Sequence, residues 1–159
     1  MRLAEEKKVV PLLNSADYGA GVTMDSINME NFHRADVIVT FGAITGNAVL
    51  KVYSGATAAA LTSAMAFDYA LAGGTIGSSS ADVLAANATA TAASGITLTA
   101  ASYASTMLVL SIDASEMDVA NGEEWLSLSI SNAASSGIAH AVAVLEPRYT
   151  SDRSATALT

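Results

Sequence analysis

The sequence predicts an all-β protein built as a single β-sandwich, and three observations carry that reading. Apolar and small polar residues alternate over short stretches, most cleanly in Trp125 to Ser131 (WLSLSIS), as they do in half-buried strands. The strongest apolar stretches, Ala35 to Phe41 (ADVIVTF) and Thr106 to Asp113 (TMLVLSID), are rich in β-branched residues. Turn residues separate these stretches, and no long helical period intervenes. Roughly eight short strands in this arrangement fit a jelly-roll-like sandwich, with an immunoglobulin-like topology as the alternative.

Taken in order, residues 1–13 read as an N-terminal extended arm, with charged Arg2 to Lys8 able to form a helical turn or two and Pro11 favouring extended backbone at Val10. Asn14 to Gly21 reads as a loop, and Val22, Met24 and Ile27 to Met29 as a short first strand region. Ala35 to Phe41 and Ala48 to Ser54 are expected to pair as a hairpin across the glycine-containing stretch Gly42 to Asn47. In the second of these, Leu50, Val52 and Ser54 share one face and Val49, Lys51 and Tyr53 the other.

Thr57 to Ser63 is ambiguous between helix and strand. Met65 to Ala70 alternates as one strand, with Met65, Phe67 and Tyr69 on a common face. Gly73 to Ser80 is a turn, and Asp82 to Ala93 a loop or irregular edge. Ile96 to Thr99 is a short strand, and the near-continuous apolar run Thr106 to Asp113 is expected to be buried on both faces. Ala120-Asn121-Gly122 signals a turn before Trp125 to Ser131, whose serines should face outward. After an Asn-Ala-Ala-Ser-Ser-Gly loop comes the strand Ile138 to Leu145. The domain division is therefore an arm at 1–13, a sandwich at 14–149 and a flexible tail at 150–159.

Composition narrows the functions. The formal net charge is −8, and the only basic residues between Val9 and Pro147 are Arg34 and Lys51. Nucleic acid and anionic membrane surfaces, which need clustered Lys and Arg, are not expected partners. The absence of cysteine excludes disulfides and thiolate chemistry. The uncharged stretch from Val83 to Ile112 is too interrupted by Asn, Ser, Thr and Gly to read as a membrane span. Met1 to Leu13 lacks the apolar core of a secretory signal. Only 14% of the residues are charged, which lowers the cost of burying surface against a partner.

Candidate chemistry is sparse. His33 and His140 are the only possible imidazole bases, and neither lies in a motif that supplies a nucleophile. The carboxylates Asp113, Glu116, Asp118, Glu123 and Glu124 could in principle hold Ca²⁺, but their spacing lacks the alternating ligands of a calcium loop. Gly73-Gly74-Thr75-Ile76-Gly77 lacks the lysine of a phosphate loop. Trp125, at the start of a strong strand, reads as a packing residue rather than a stacking platform. No catalytic, cofactor-binding or metal-binding residue is assigned, and the expectation is a protein that is not an enzyme and needs no cofactor.

The order of segments "VVPLLNSADYGAGVTMDSINMENFHRADVIVTFGAITGNAVLKVYSG", "AMAFDYAL" and "MLVLSIDASEMDVANGEEWLSLSISNAASSGIAHAVAVLEPRY" resembles small virion proteins of tailed bacteriophages, notably capsid decoration or cement proteins. The resemblance spans roughly residues 9–149. It implies a homotrimeric sandwich, made in the host cytoplasm, that sits on the outer capsid surface and holds major capsid subunits together. The alternatives are a head-fibre, tail or adaptor component, or a carbohydrate-binding or adhesive β-module. On this reading Arg2, Lys7, Lys8, Val9, Val10, Pro11, Leu12 and Leu13 form an arm that contacts the capsid, and deleting residues 2–13 should weaken attachment while leaving the domain folded.

Overall fold

The computed structural model describes residues 3–131, 136–149 and 156–158. Two antiparallel sheets pack face to face as a β-sandwich around one apolar core. A four-residue helix, α1 (Leu3–Glu6), leads into β1 (Lys8–Asp17), β2 (Val22–Thr23), β3 (Ile27–Asn28), β4 (Phe32–Ile44) and β5 (Ala48–Gly55). There follow β6 (Ser63–Met65), β7 (Phe67–Leu71), β8 (Ala88–Ala90), β9 (Ile96–Leu98), the short helix α2 (Ala100–Tyr103), β10 (Met107–Asp113), β11 (Trp125–Ile130) and β12 (Gly137–Pro147).

The first sheet, sheet A, runs β1-β12-β4-β10-β7-β8. The second, sheet B, runs β2-β11-β5-β6, with β3 also on β11 and β9 also on β5. The pairings are nested: β1 with β12, β2 with β11, β4 with β10 and β5 with β9, all antiparallel. Such nesting is what results when a long two-stranded ribbon folds over on itself and its successive segments alternate between two layers.

This alternation corrects three local expectations. β4 and β5 do not form a hairpin. β4 pairs with β10 and β12, β5 with β11, β6 and β9, and the chain crosses from one sheet to the other between Ile44 and Ala48. The apolar faces of β4 and β5 meet across the core instead of lying side by side. The single strand expected over Met65 to Ala70 is two strands, β6 in sheet B and β7 in sheet A. Its alternation is preserved because both sheets present the same side to the same core, with Met65 and Phe67 buried. The expected loop at Asn14 to Gly21 is strand as far as Asp17, bent by irregularities after Pro11 and Leu13.

The arm–domain boundary at 13/14 is likewise replaced. From Lys8 the chain is the edge strand of sheet A, paired with β12 over its whole length, and Val10 and Leu12 are each only 2% exposed. The Leu12 carbonyl also accepts a hydrogen bond from Asp25 N–H. Alternation explains the error: Val10 and Leu12 point into the core while Val9 and Pro11 point out, so a stretch read as a free extension is a half-buried strand. At the other end, the expected flexible tail contains an ordered contact. Ala157 is buried, and its carbonyl accepts from Asn28 N–H. Arg2, the loop residues 132–135 and tail residues 150–155 and 159 lie outside the described residues.

The core is filled from both inner faces by side chains such as Phe32, Phe41, Phe67, Leu50, Leu108, Leu110 and Leu128. Tyr103 of α2 closes it edge-on against Phe41, ring centroids 6.0 Å apart. Tyr18 is fully buried, and its ring lies against Gly137, where a Cβ would come within 2.2 Å of the ring. β10 is not buried on both faces: Leu108, Leu110 and Ile112 face the core, whereas Met107, Val109 and Ser111 are half-exposed.

Candidate interaction surface

Strand register shows what each sheet turns outward. In sheet A, Pro11, Val142, Ile38, Val109 and Ala70 lie opposite one another across five strands, β1-β12-β4-β10-β7. One row away, Val9 and Val144 continue into Asp36, Ser111 and Asp68, and on the other side lie His140, Thr40 and Met107. The row from Pro11 to Ala70 carries no charge. Val9 is 46% exposed and Ile138, at the far end of β12, 43%.

The orientation of β12 is the most informative detail. Its inward positions are Ala139, Ala141, Ala143 and Leu145, all fully buried. Its outward positions are Ile138, His140, Val142 and Val144. The strand therefore gives three alanines to the core and its β-branched residues to the outside. Small inward residues leave room for the bulky Tyr18, Phe32 and Phe41 of the same core, while the outward valines stay half-exposed.

Charge gathers at one end of this face, with exposed Asp17, opposite Ile138, at the other. Lys7 Nζ pairs with Glu146 at 3.0 Å, and Arg34 with Asp36 at 2.9 Å. Ser111 Oγ donates to Asp36, and Thr89 Oγ1 donates to Asp68. Ion pairs as exposed as these contribute about 0–1 kcal/mol, so they border the face more than they stabilise the fold. Beyond β10 the connection between β7 and β8 rises over the sheet. Leu84 and Asn87 wall an open groove of about 330 Å³ floored by Ile38, Ala70 and Val109.

Sheet B presents a different exterior. Thr23, Ser129 and Lys51 form one row, and Ser127, Tyr53 and Ala64 another. Lys51 Nζ is held by the Ala93 carbonyl at 2.6 Å. Ser127, expected to face water, is fully buried: its hydroxyl bonds that of Ser26 at 2.8 Å, and Ser26 Oγ accepts from Ala59 N–H, so residues 56–62 close over this part of the sheet. Nearby, Glu123 is only 6% exposed, and its carboxylate accepts from Ser54 Oγ at 2.6 Å and from Ser63 Oγ at 3.1 Å.

The acidic residues from 113 to 124 thus have separate tasks. Asp113 accepts from Ser115 N–H and Oγ, which holds its carboxyl below the usual range, and Glu116 accepts from Asp113 N–H. Asp118 accepts from Asn121, Glu123 is buried among serines, and the Glu124 carbonyl receives Met29 N–H. Among the described residues no group of three or more His, Cys, Asp or Glu is placed to hold a metal ion. His33 is exposed beside Asp113 and Arg34 in the charged border, and His140 is half-buried on the outer face of sheet A. No helix among the described residues is long and apolar enough to cross a membrane.

Of the residues expected to form a capsid-contact arm, Lys7, Val9 and Pro11 belong to this outer face. Val10 and Leu12 are core residues, Leu13 packs against the core, and half-buried Lys8 lies opposite Leu145. Sequence reasoning missed Ile38, Val109, Val142 and Val144. The signal that could have found them was present: β12 alternates Ala with larger apolar residues, so one apolar set had to lie outside. No family model matches the chain, and neither a curated protein nor a solved structure matches it.

Proposed function

We propose that this protein is a structural module that works by packing against other proteins, in the manner of a capsid decoration protein on the outer surface of a phage head. The observation that carries this reading is the outer face of sheet A, where a row of uncharged residues, Pro11, Val142, Ile38, Val109 and Ala70, crosses five strands beside exposed Val9. An apolar strand face suits protein–protein contact; catalysis and small-ligand binding use concave sites with convergent polar groups.

The nested pairing supports the finer reading of the fold as a jelly roll, an architecture of two Greek keys found among viral capsid and lectin domains. The edges support it as well. β8, β6 and β9 are three residues long, β2 and β3 two, and β1 carries Pro11 and two irregularities. Blunted edges resist uncontrolled strand addition and leave association to the faces.

The test is co-sedimentation of the purified protein with heads of the phage whose genome encodes it, after the heads have been stripped of this chain. Saturable rebinding, with added resistance of the heads to heat, is the expected result. Failure to rebind, or rebinding to tails alone, would remove the head assignment. Clear saccharide binding on a glycan array would instead assign the molecule to the adhesive class.

A further inference from the structure

We infer that the outer face of sheet B carries a second contact site, a groove around Lys51 that receives the carboxylate of an acidic, extended segment of another protein. The inference rests on the proposed function only for orientation: a molecule seated by sheet A turns sheet B away from the head. The groove itself belongs to the folded chain.

Two strands floor the groove. Alternation puts Val49, Lys51 and Tyr53 on the outer face of β5, and Ser129 of β11 lies beside Lys51 in the register. Ser131 follows just beyond β11, where its N–H donates to the Val49 carbonyl. The turn at Ala93 and Ser94 forms the wall. That turn presses close to β5: a Cβ on Gly95, at φ 62°, would fall 2.4 Å from the Leu50 carbonyl oxygen. The open space between floor and wall is about 410 Å³.

The side-chain groups that remain free in this space are donors. Lys51 Nζ gives one N–H to the Ala93 carbonyl at 2.6 Å, and an ammonium has three. Ser131 Oγ accepts from Val49 N–H at 2.8 Å, which leaves its own hydrogen to donate. Ser129 Oγ bonds no other group among the described residues. No Asp or Glu lines the groove, and Lys51 is the only basic residue between Arg34 and Arg148 in a chain of net charge −8. A carboxylate offers acceptors alone and a charge of the right sign, so it complements this set. A nucleic-acid backbone would need clustered cations that the groove lacks.

The flanks select a peptide. Val49 and Tyr53, both half-buried, stand two residues before and two after Lys51 on the same face. An extended segment repeats its side chains on one face at that same interval. A segment with an acidic residue between two apolar ones, each two positions away, therefore meets Val49, Lys51 and Tyr53 together when it lies along β5. A single solvent-facing ion pair is weak, so such a contact acts through many copies on a lattice.

An NMR titration of the isotopically labelled whole chain tests this. The probe is an acetylated and amidated peptide, Val-Ser-Glu-Ser-Val, with Val-Ser-Gln-Ser-Val as its neutral counterpart. Saturable shifts are expected at residues 49–53, 93–94 and 129–131, and the neutral peptide should bind at least about tenfold more weakly. Lys51→Met should abolish the shifts and Lys51→Arg should retain them. Lys51→Met also frees the Ala93 carbonyl, so Ser129→Ala, which leaves that bond in place, is the companion variant and should weaken binding by about two- to fivefold. Val142→Asp on sheet A should change nothing in this titration, whatever it does to rebinding of heads. Absence of saturable shifts, equal affinity for the two peptides, or binding indifferent to both Lys51→Met and Ser129→Ala would overturn the inference. So would tighter binding of trigalacturonate at the same residues, which would give the groove to an acidic saccharide.

Discussion

The two sheets share one core and differ in how they end. Sheet A contains the long strands β1, β4 and β12, of 10, 13 and 11 residues, and turns valine and isoleucine outward. Sheet B is assembled from shorter strands, turns hydroxyl groups outward, and has part of its exterior roofed by residues 56–62 over Ser26 and Ser127. One sheet has satisfied part of its exterior within the chain by hydrogen bonds. The other leaves valine and isoleucine side chains half-exposed. On the proposed function, fold and association are divided between two sides of a single domain.

The strongest way to break this division is to delete residues 2–13. Sequence reading expected a folded domain with weaker attachment; the structure predicts loss of the fold. The deletion removes Val10 and Leu12, whose burial contributes about 1.5–3 kcal/mol each, and exposes the edge of β12. Against a typical total of about 5–15 kcal/mol this should abolish a cooperative thermal transition, and a sharp transition in the truncated protein would contradict the placement of β1.

The interior of sheet B is tested by Glu123→Ala. Ser54 and Ser63 would lose their acceptor in a closed environment, at a cost of roughly 1–3 kcal/mol in chemical denaturation. Glu123→Gln, which keeps an oxygen for one of the two serines, should cost less. Equal losses would mean that the hydrogen bonds contribute little.

The exteriors are contrasted by Val142→Asp and Ser129→Asp. Each should change the stability of the folded monomer by less than about 1 kcal/mol, since both side chains are half-exposed. They should part in attachment to heads, which the first abolishes and the second leaves intact. Equal effects of the two on co-sedimentation would erase the distinction between the faces.

The smallest effect concerns Asp17, which joins the end of β1 to the start of β12. Its carboxylate accepts from Gly19 N–H at 2.8 Å, from Gly137 N–H at 3.2 Å and from Ser136 Oγ at 3.0 Å, and these bonds hold its pKa below the ordinary value of 3.8. A carboxyl depressed in the folded state stabilises fully above its unfolded pKa and loses that contribution as pH falls through the folded value. Asp17→Asn should therefore flatten the acid limb of the stability curve below about pH 4 and leave its slope near neutrality unchanged. An unaltered acid limb would show that the Asp17 bonds are not formed in solution.

Much of the fold was legible in the residues. Leu126, Leu128 and Ile130 point inward as their alternation demands, and Ala120-Asn121-Gly122 does turn, with Gly122 in the left-handed region at φ 72°. Partners were not legible. β4 and β5 look like a hairpin because each has one apolar face and a turn between them, yet the same two faces bury as well across a core as side by side. The candidate surface was half legible: Val9 and Pro11 were singled out, but for the arm they do not form.

What the sequence alone determined is the period: two residues, strand after strand, with turns where Gly, Asn and Asp allow them. What the tertiary structure decided is the sign of that period. In β12 both alternating sets are apolar, and no local rule says whether Ala139, Ala141 and Ala143 or Ile138, Val142 and Val144 meet the core. The choice is made by volume, because Tyr18, Phe32 and Phe41 already fill the space that larger inward residues would need. Packing thereby turned the valines outward and gave sheet A the apolar exterior on which the proposed function rests.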